Sequence, residues 1–229
     1  INAPDAWEIT TGSKEVIIAI IDTGIDLNHP DLAANICSNP NEIDDGIDND
    51  GNGYVDDLRG WDFVDAPNEG APGEDDDTPD NLPMDFHGHG TQVAGCAAAV
   101  SNNGVGVSGT AWQASLMPLR AGFKGHDGNG YVTTAAVIQA MQYAIFMNAD
   151  VINLSFELES DQPVFTDLAA WAMYENTLVV WAAGNANSSR GFAPLNLPHV
   201  LSVAAVNPYD VKSGFSNYGE WVDISAPGG

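Results

Sequence analysis

Hydrophobic positions along this chain fall into blocks, and the first block sets the pattern for the rest. Val16, Ile17, Ile18, Ala19, Ile20 and Ile21 run without interruption into Asp22, Thr23 and Gly24. A short, β-branched run with no polar alternation predicts a strand covered on both faces, as in a parallel sheet. Asp22 then stands at the carboxyl end of that strand, the edge where open α/β sheets gather ligands and chemistry. Taken alone, Asp22 reads equally well as an acid that caps the following turn.

Further along, 27–32 predicts a turn and a short helical segment, and 38–58 a polar loop dense in Asp, Asn and Gly. An apolar run over 60–64 predicts a strand, followed by a second acidic, proline-containing loop over 66–86. From His89 the spacing turns helical, with Val93, Ala94, Ala97, Ala98 and Val100 at three- and four-residue steps and Asn103 and Gly104 as the stop. Strands are expected over 114–119, 150–156, 177–183, 199–206 and 221–225, helices over 133–148 and 164–174, and a loop over 125–130. Strands alternating with helices predict the α/β class: one domain over 1–229, built on a doubly wound, mainly parallel sheet flanked by helices.

Charge narrows the partners. Asp and Glu number 32 against 6 Lys and Arg, a formal net charge of -26. That field repels nucleic acid and anionic lipid, so neither is expected as a partner. It also destabilises the compact state unless cations offset it; bound divalent cations are one answer and a saline habitat the other. No apolar run reaches membrane-spanning length, and the opening residues do not form a leader. Cys37 and Cys96 are too few for a disulfide framework or a zinc pattern. A single bridge between them is open, and Cys96, in an alanine-rich stretch, reads equally well as a buried small thiol.

Three segments place a polar residue at a strand end or a helix start. Asp22 is the first. His89, in Gly88-His89-Gly90-Thr91, is the second; glycine on both sides lets the backbone approach closely and leaves the imidazole reachable. Asn185, in Ala183-Gly184-Asn185, is the third. Together they suit acyl transfer: the acid orients the imidazole, the imidazole moves protons and the amide stabilises an oxyanion. His87 and His89 with Asp85 also have a His-x-His metal spacing, which the flanking glycines disfavour.

The segments Ala19-Ile20-Ile21-Asp22-Thr23-Gly24-Ile25-Asp26, His29-Pro30-Asp31-Leu32, Gly88-His89-Gly90-Thr91-Gln92-Val93-Ala94-Gly95, Val151-Ile152-Asn153-Leu154-Ser155, Ala183-Gly184-Asn185 and Ser225-Ala226-Pro227-Gly228 carry a resemblance. In that order the chain resembles the catalytic domain of subtilisin-like serine proteases, the subtilases. The resemblance implies a secreted serine endopeptidase acting on proteins or peptides, with Asp22 as triad acid, His89 as triad base and Asn185 as the oxyanion-hole amide. The family's nucleophile lies in a Gly-Thr-Ser-Met-Ala segment downstream of the Ala-Pro-Gly motif, and the sequence ends at Gly229, just after that motif. Ser108, Ser155 and Ser216 lie in other contexts, and no Gly-x-Ser-x-Gly elbow offers a substitute. The expectation is a subtilase domain shortened at both ends and inactive by itself, with a separate C-terminal segment as one way of completing the fold. The alternative is a calcium-binding module that holds peptides without cutting them.

The resemblance also implies a substrate cleft. Gly128, Asn129 and Gly130 match the edge segment that pairs with substrate backbone, where small residues let two chains approach. Ser155, Phe156 and Glu157 form the opposite wall, where the family continues with a glycine pair. Glu157 in place of glycine predicts a narrowed or acid-lined first pocket favouring basic or small side chains.

Calcium is the expected cofactor. Asp48, Asp50 and Asn52 alternate oxygen ligands around Gly51 and Gly53, and Tyr54, Asp56 and Asp57 follow. Calcium takes six to eight oxygens, and a tight turn of this kind delivers them. The twelfth position counted from Asp48 is Arg59 instead of an EF-hand Glu, so Asp56 or Asp57 must close the shell. Family resemblance implies a second site at Asp31 and Asn103, with carbonyls around Val105 and Val107. The run 74–80 reads as a solvated acidic loop.

Overall fold

The computed structural model describes residues 2–157, 162–191 and 195–228. In chain order the helices are α1 Ala3–Trp7, α2 His89–Ala98, α3 Thr134–Phe146 and α4 Pro163–Tyr174. The strands are β1 Ile17–Asp22, β2 Trp61–Asp62, β3 Ser115–Arg120, β4 Gly122–Lys124, β5 Gly130–Val132, β6 Val151–Leu154, β7 Leu178–Ala182, β8 Val200–Val206 and β9 Ile224–Pro227. Seven of them form one sheet in the order β2-β3-β1-β6-β7-β8-β9, with every neighbouring pair parallel. β4 and β5 make a separate antiparallel hairpin.

β1 is covered on both faces, as its unbroken apolar run predicts. Ala19 and Ile21 join the core formed with α3 and α4, while Ile20 packs with Ala94 and Ala98 of α2. Ile20 and Ile21 are completely buried, each contributing about 1.5–3 kcal/mol relative to exposure. The chain leaves β1 for β3 on one side and reaches β6 on the other. β1 therefore lies where the strand order reverses, and a crevice opens at its carboxyl edge. α3 starts at Thr133, whose hydroxyl accepts from the Ala136 N–H at 3.1 Å, and α4 starts on Pro163.

The structure departs from the sequence reading at several places. α2 stops at Ala98 rather than running to Asn103, because Asn35 donates to the Ala98 carbonyl and the Val100 N–H turns to the Asp31 carbonyl. The strand expected over 60–64 is only β2, since Asp62 bonds the Asp80 backbone and Phe63 the Arg120 carbonyl. The last strand begins at Ile224 instead of 221, because Ser202 Oγ and the Asp223 carboxylate hold 221–223 against β8 by side chains. α1 and the β4–β5 hairpin lie outside the expected elements. Cys96 is exposed instead of buried, and Cys37 and Cys96 are both free thiols.

Candidate active site

Asp22, the last residue of β1, is 2% exposed, and its Oδ1 lies 2.7 Å from His89 Nδ1. A carboxylate only accepts, so Nδ1 carries the proton and donates it to Asp22, leaving Nε2 as the basic nitrogen. His89 is the first residue of α2, with 44% of its side chain exposed. Two glycines make this docking possible. Gly88 precedes the helix at φ 101°, where a side chain is strained. At Gly90 a Cβ would lie 2.1 Å from the Gly24 carbonyl oxygen and 3.0 Å from the Asp22 Cβ. Only a bare backbone brings the helix start this close to the strand end.

The His89 pKa is raised, first by the hydrogen bond to Asp22, then against the opposing effect of burial, and further by the charges of Asp22 and Asp85. The imidazole is available as a base only above that raised value. Asp22 thus orients the ring and stabilises the imidazolium that forms when Nε2 takes a proton.

Asn185 lies just beyond the carboxyl end of β7, on the same sheet edge and two strands from β1. Its backbone N–H donates to Glu157 Oε2 at 3.1 Å, and Glu157 Oε1 accepts from Asn217 Nδ2 at 3.3 Å. Glu157 is an exposed residue whose carboxylate is folded back onto the Asn185 loop. Asn217, buried and unremarked by the sequence reading, clamps that loop by donating to the Ala183 carbonyl and accepting from the Ala186 and Ser188 N–H groups. Ser155 and Phe156 follow β6; the Phe156 ring packs edge-on against buried Trp181, whose indole N–H donates to the Phe156 carbonyl.

The β4–β5 hairpin borders the Asp22–His89 pair. It leaves the sheet directly after β3, and a Cβ at Gly122 would touch the Thr23 side chain at 3.4 Å. At Gly130 a Cβ would lie 3.3 Å from the His87 ring, so the tip containing Gly128 and Asn129 stands beside the His89 turn. His87 Nδ1 accepts from the His89 N–H at 3.3 Å, and both Asp85 oxygens are taken up by N–H and O–H donors, which leaves no His-Asp metal set there.

A model of the subtilase family matches residues 13–229. The chain belongs to the subtilase family. Among curated relatives of this subtilase, it is 37% identical to a thermophilic serine proteinase of Bacillus sp. (strain AK1), covering 97% of this chain and 46% of that protein. It is 37% identical to thermitase of Thermoactinomyces vulgaris over 100% of this chain and 68% of that protein, and 35% identical to an extracellular protease of Xanthomonas campestris pv. campestris over 100% and 39%. A solved protease from Pseudoalteromonas arctica PAMC 21717 superposes with a TM-score of 0.77 at 30% identity, covering 100% of this chain and 67% of the other. The subtilase chain thus spans between about a third and two thirds of the length of these and other curated relatives it matches.

Two regions of this subtilase offer oxygen ligands. Glu42, Asp48 and Asp50 place ligand oxygens within 4.8 Å of one another. Glu42 was absent from the sequence reading, and its tie to the loop (Oε1 accepting from the Asn49 and Asp50 N–H groups) is a fold contact invisible to spacing. Asn52 Oδ1 accepts from the Tyr54 N–H, and its Nδ2 donates to Asp57. Asp56 instead accepts from the Asp45 and Gly46 N–H groups, and Asp57, fully buried, from the Tyr143 hydroxyl and Asn39. Elsewhere, buried Asp31 accepts from Asn103 Nδ2 at 2.7 Å and the Val107 N–H at 2.8 Å, drawing 103–107 around one carboxylate.

The acidic loop over 74–80 is more than a solvated face. Asp62, Asp75 and Asp80 cluster beside Arg120, a fully buried guanidinium that donates to Asp62 and Glu74. Burial pushes the Asp62 carboxyl up to about 7 against the pull of Arg120. That cluster already contains its own cation.

Proposed function

We propose that this chain forms the catalytic domain of a secreted, calcium-stabilised serine endopeptidase that hydrolyses peptide bonds in proteins. The observation that carries the reading is the Asp22–His89 bond of 2.7 Å at the carboxyl edge of the sheet, with Nε2 left basic and Asn185 on the same edge. His89 takes the proton of a serine hydroxyl as it attacks the scissile carbonyl, Asn185 donates to the resulting oxyanion, and His89 returns the proton to the leaving amine. Among the described residues no serine hydroxyl is bonded to His89, and the reading takes the nucleophile from a segment outside them. A cavity of about 290 Å³ on the sheet, lined by Asn153, Ser155, Val180, Ala182, Val203 and Ala205, suits a segment packed across β6–β9 that brings it in. The names of relatives described as extracellular support secretion.

Substrate is read as an extended peptide laid between the 128–130 edge and 155–157, with Glu157 biasing the first pocket toward basic side chains. Glu42, Asp48 and Asp50 supply hard oxygen donors suited to calcium, with Asn52 and Tyr54 following in the same loop, and Asp31 with Asn103 offers a second position. Bound there, calcium neutralises clustered carboxylates and ties 42–54 to the body of the fold. The reading is tested by treating the full-length protein with a fluorophosphonate and with a protein substrate. Covalent labelling together with hydrolysis supports it; a folded protein that binds peptide and neither labels nor cleaves establishes the peptide-holding module instead.

A further inference from the structure

One carboxylate ties the mounts of both catalytic side chains together, and it is neither of them. Asp85 Oδ1 accepts from Thr23 Oγ1 at 2.9 Å, from the His87 N–H at 2.9 Å and from the Gly88 N–H at 2.7 Å. Its Oδ2 accepts from the Thr91 N–H at 2.9 Å and from Thr91 Oγ1 at 2.6 Å. Thr23 follows Asp22 directly; Gly88 precedes His89, and Thr91 lies in the first turn of α2. The link closes twice more. Thr23 Oγ1 accepts from the Gly90 N–H at 3.0 Å, and Thr91 Oγ1 accepts from the Asp26 N–H at 3.0 Å.

α2 needs such a partner. Its N-cap residue is Gly88, with no side-chain cap, so its first N–H groups depend on an acceptor from elsewhere. A negative group there also complements the helix macrodipole. Asp85 itself is held because its segment packs on the strand end: the Ile25 N–H donates to the Pro83 carbonyl at 3.0 Å. The carboxylate is therefore fixed from both sides before it fixes anything else.

We infer that Asp85 is a positioning residue that holds α2 against the end of β1, setting the Asp22–His89 hydrogen bond. This rests on the reading of Asp22 and His89 as the acid–base pair. Asp85 makes its five bonds to Thr23, His87, Gly88 and Thr91. It acts through Thr23, Gly88 and Thr91, and its charge adds to that of Asp22 in favouring the imidazolium. The ionisable groups around the His89 ring are Asp22 on β1, Asp85 ahead of α2 and His87, whose ring centroid is 6.3 Å away.

The test reads His89 by NMR and needs no turnover. In the unaltered protein the Nδ1 proton gives a far-downfield resonance, and the His89 titration midpoint lies above its ordinary value. Asp85→Asn keeps shape, removes the charge and turns an amide toward donors. It should lower the His89 midpoint and broaden or abolish the downfield resonance. Thr91→Val removes one hydroxyl bond of the same cap without touching charge; it should lower the melting temperature and lower the midpoint by less than Asp85→Asn does. Should Asp85→Asn fail to fold, Thr23→Val, which cuts the link between Gly90 and Asp85, should broaden the resonance and lower the midpoint toward its ordinary value. An unchanged midpoint and resonance in Asp85→Asn, or in its place an unchanged resonance in Thr23→Val, overturns the inference. So does a Thr91→Val midpoint shifted as far as that of Asp85→Asn. No downfield resonance in the unaltered protein counts against the Asp22–His89 reading itself, a separate outcome.

Discussion

At the scale of single residues, position within a hydrogen-bond set decides more than residue type. Glu157 is exposed, yet its carboxylate is anchored on the Asn185 N–H and on Asn217. An ion pair formed there with a basic substrate side chain stays close to water, so it is worth no more than about 1 kcal/mol. Glu157→Gly is therefore expected to lower the preference for Lys or Arg over Leu before the scissile bond by about two- to fivefold. Competing peptide substrates measure this, and an unchanged ratio removes Glu157 from specificity. Asp22 and His89 were legible because each follows or opens a strong local pattern, an apolar strand and a glycine-flanked helix start. Asp85, Asn217 and Glu42 were not. Asp85 reaches Thr23 62 residues away, Asn217 reaches Glu157 60 residues away and Glu42 gathers N–H groups across its own loop, and no spacing rule reports that convergence.

At the scale of elements, the α2–β1 contact is where the sequence is least free. Alanine is the better helix former by about 1 kcal/mol, which favours Gly90→Ala on propensity alone. The added Cβ would meet the Gly24 carbonyl oxygen at 2.1 Å, an overpacking that costs about 1–3 kcal/mol or more. The clash outweighs the propensity gain, so Gly90→Ala is expected to destabilise the protein by about 1–2 kcal/mol or more, read by denaturant unfolding. Stability equal to or above that of the unaltered protein contradicts the described packing. The apolar blocks that became β1, α3, β7 and β8 were readable from their length and their apolar patterning. The α2 terminus and the start of β9 were misplaced, because the Asn35 side chain, the Asp31 carbonyl and the Asp223 carboxylate redirect backbone groups from positions distant in sequence. The β4–β5 hairpin escaped notice because its three-residue strands are too short to show a period.

At the scale of the whole molecule, a formal charge of -26 makes cations part of the stability account. A calcium ion present at about a hundred times its dissociation constant stabilises by about 2.7 kcal/mol, which in a domain of this size corresponds to a melting shift of about 5–10 °C. Chelation is expected to lower the melting temperature by that amount, and Glu42→Gln to reduce the loss; a chelator-insensitive melting curve removes calcium from the account. The central claim is that His89 serves a serine. Fluorophosphonate labelling of the full-length protein, compared with its His89→Ala variant, tests it most directly. One labelled serine is expected in the unaltered protein and none in the folded variant; no labelling of the unaltered protein, or equal labelling of both, shows that His89 serves no serine.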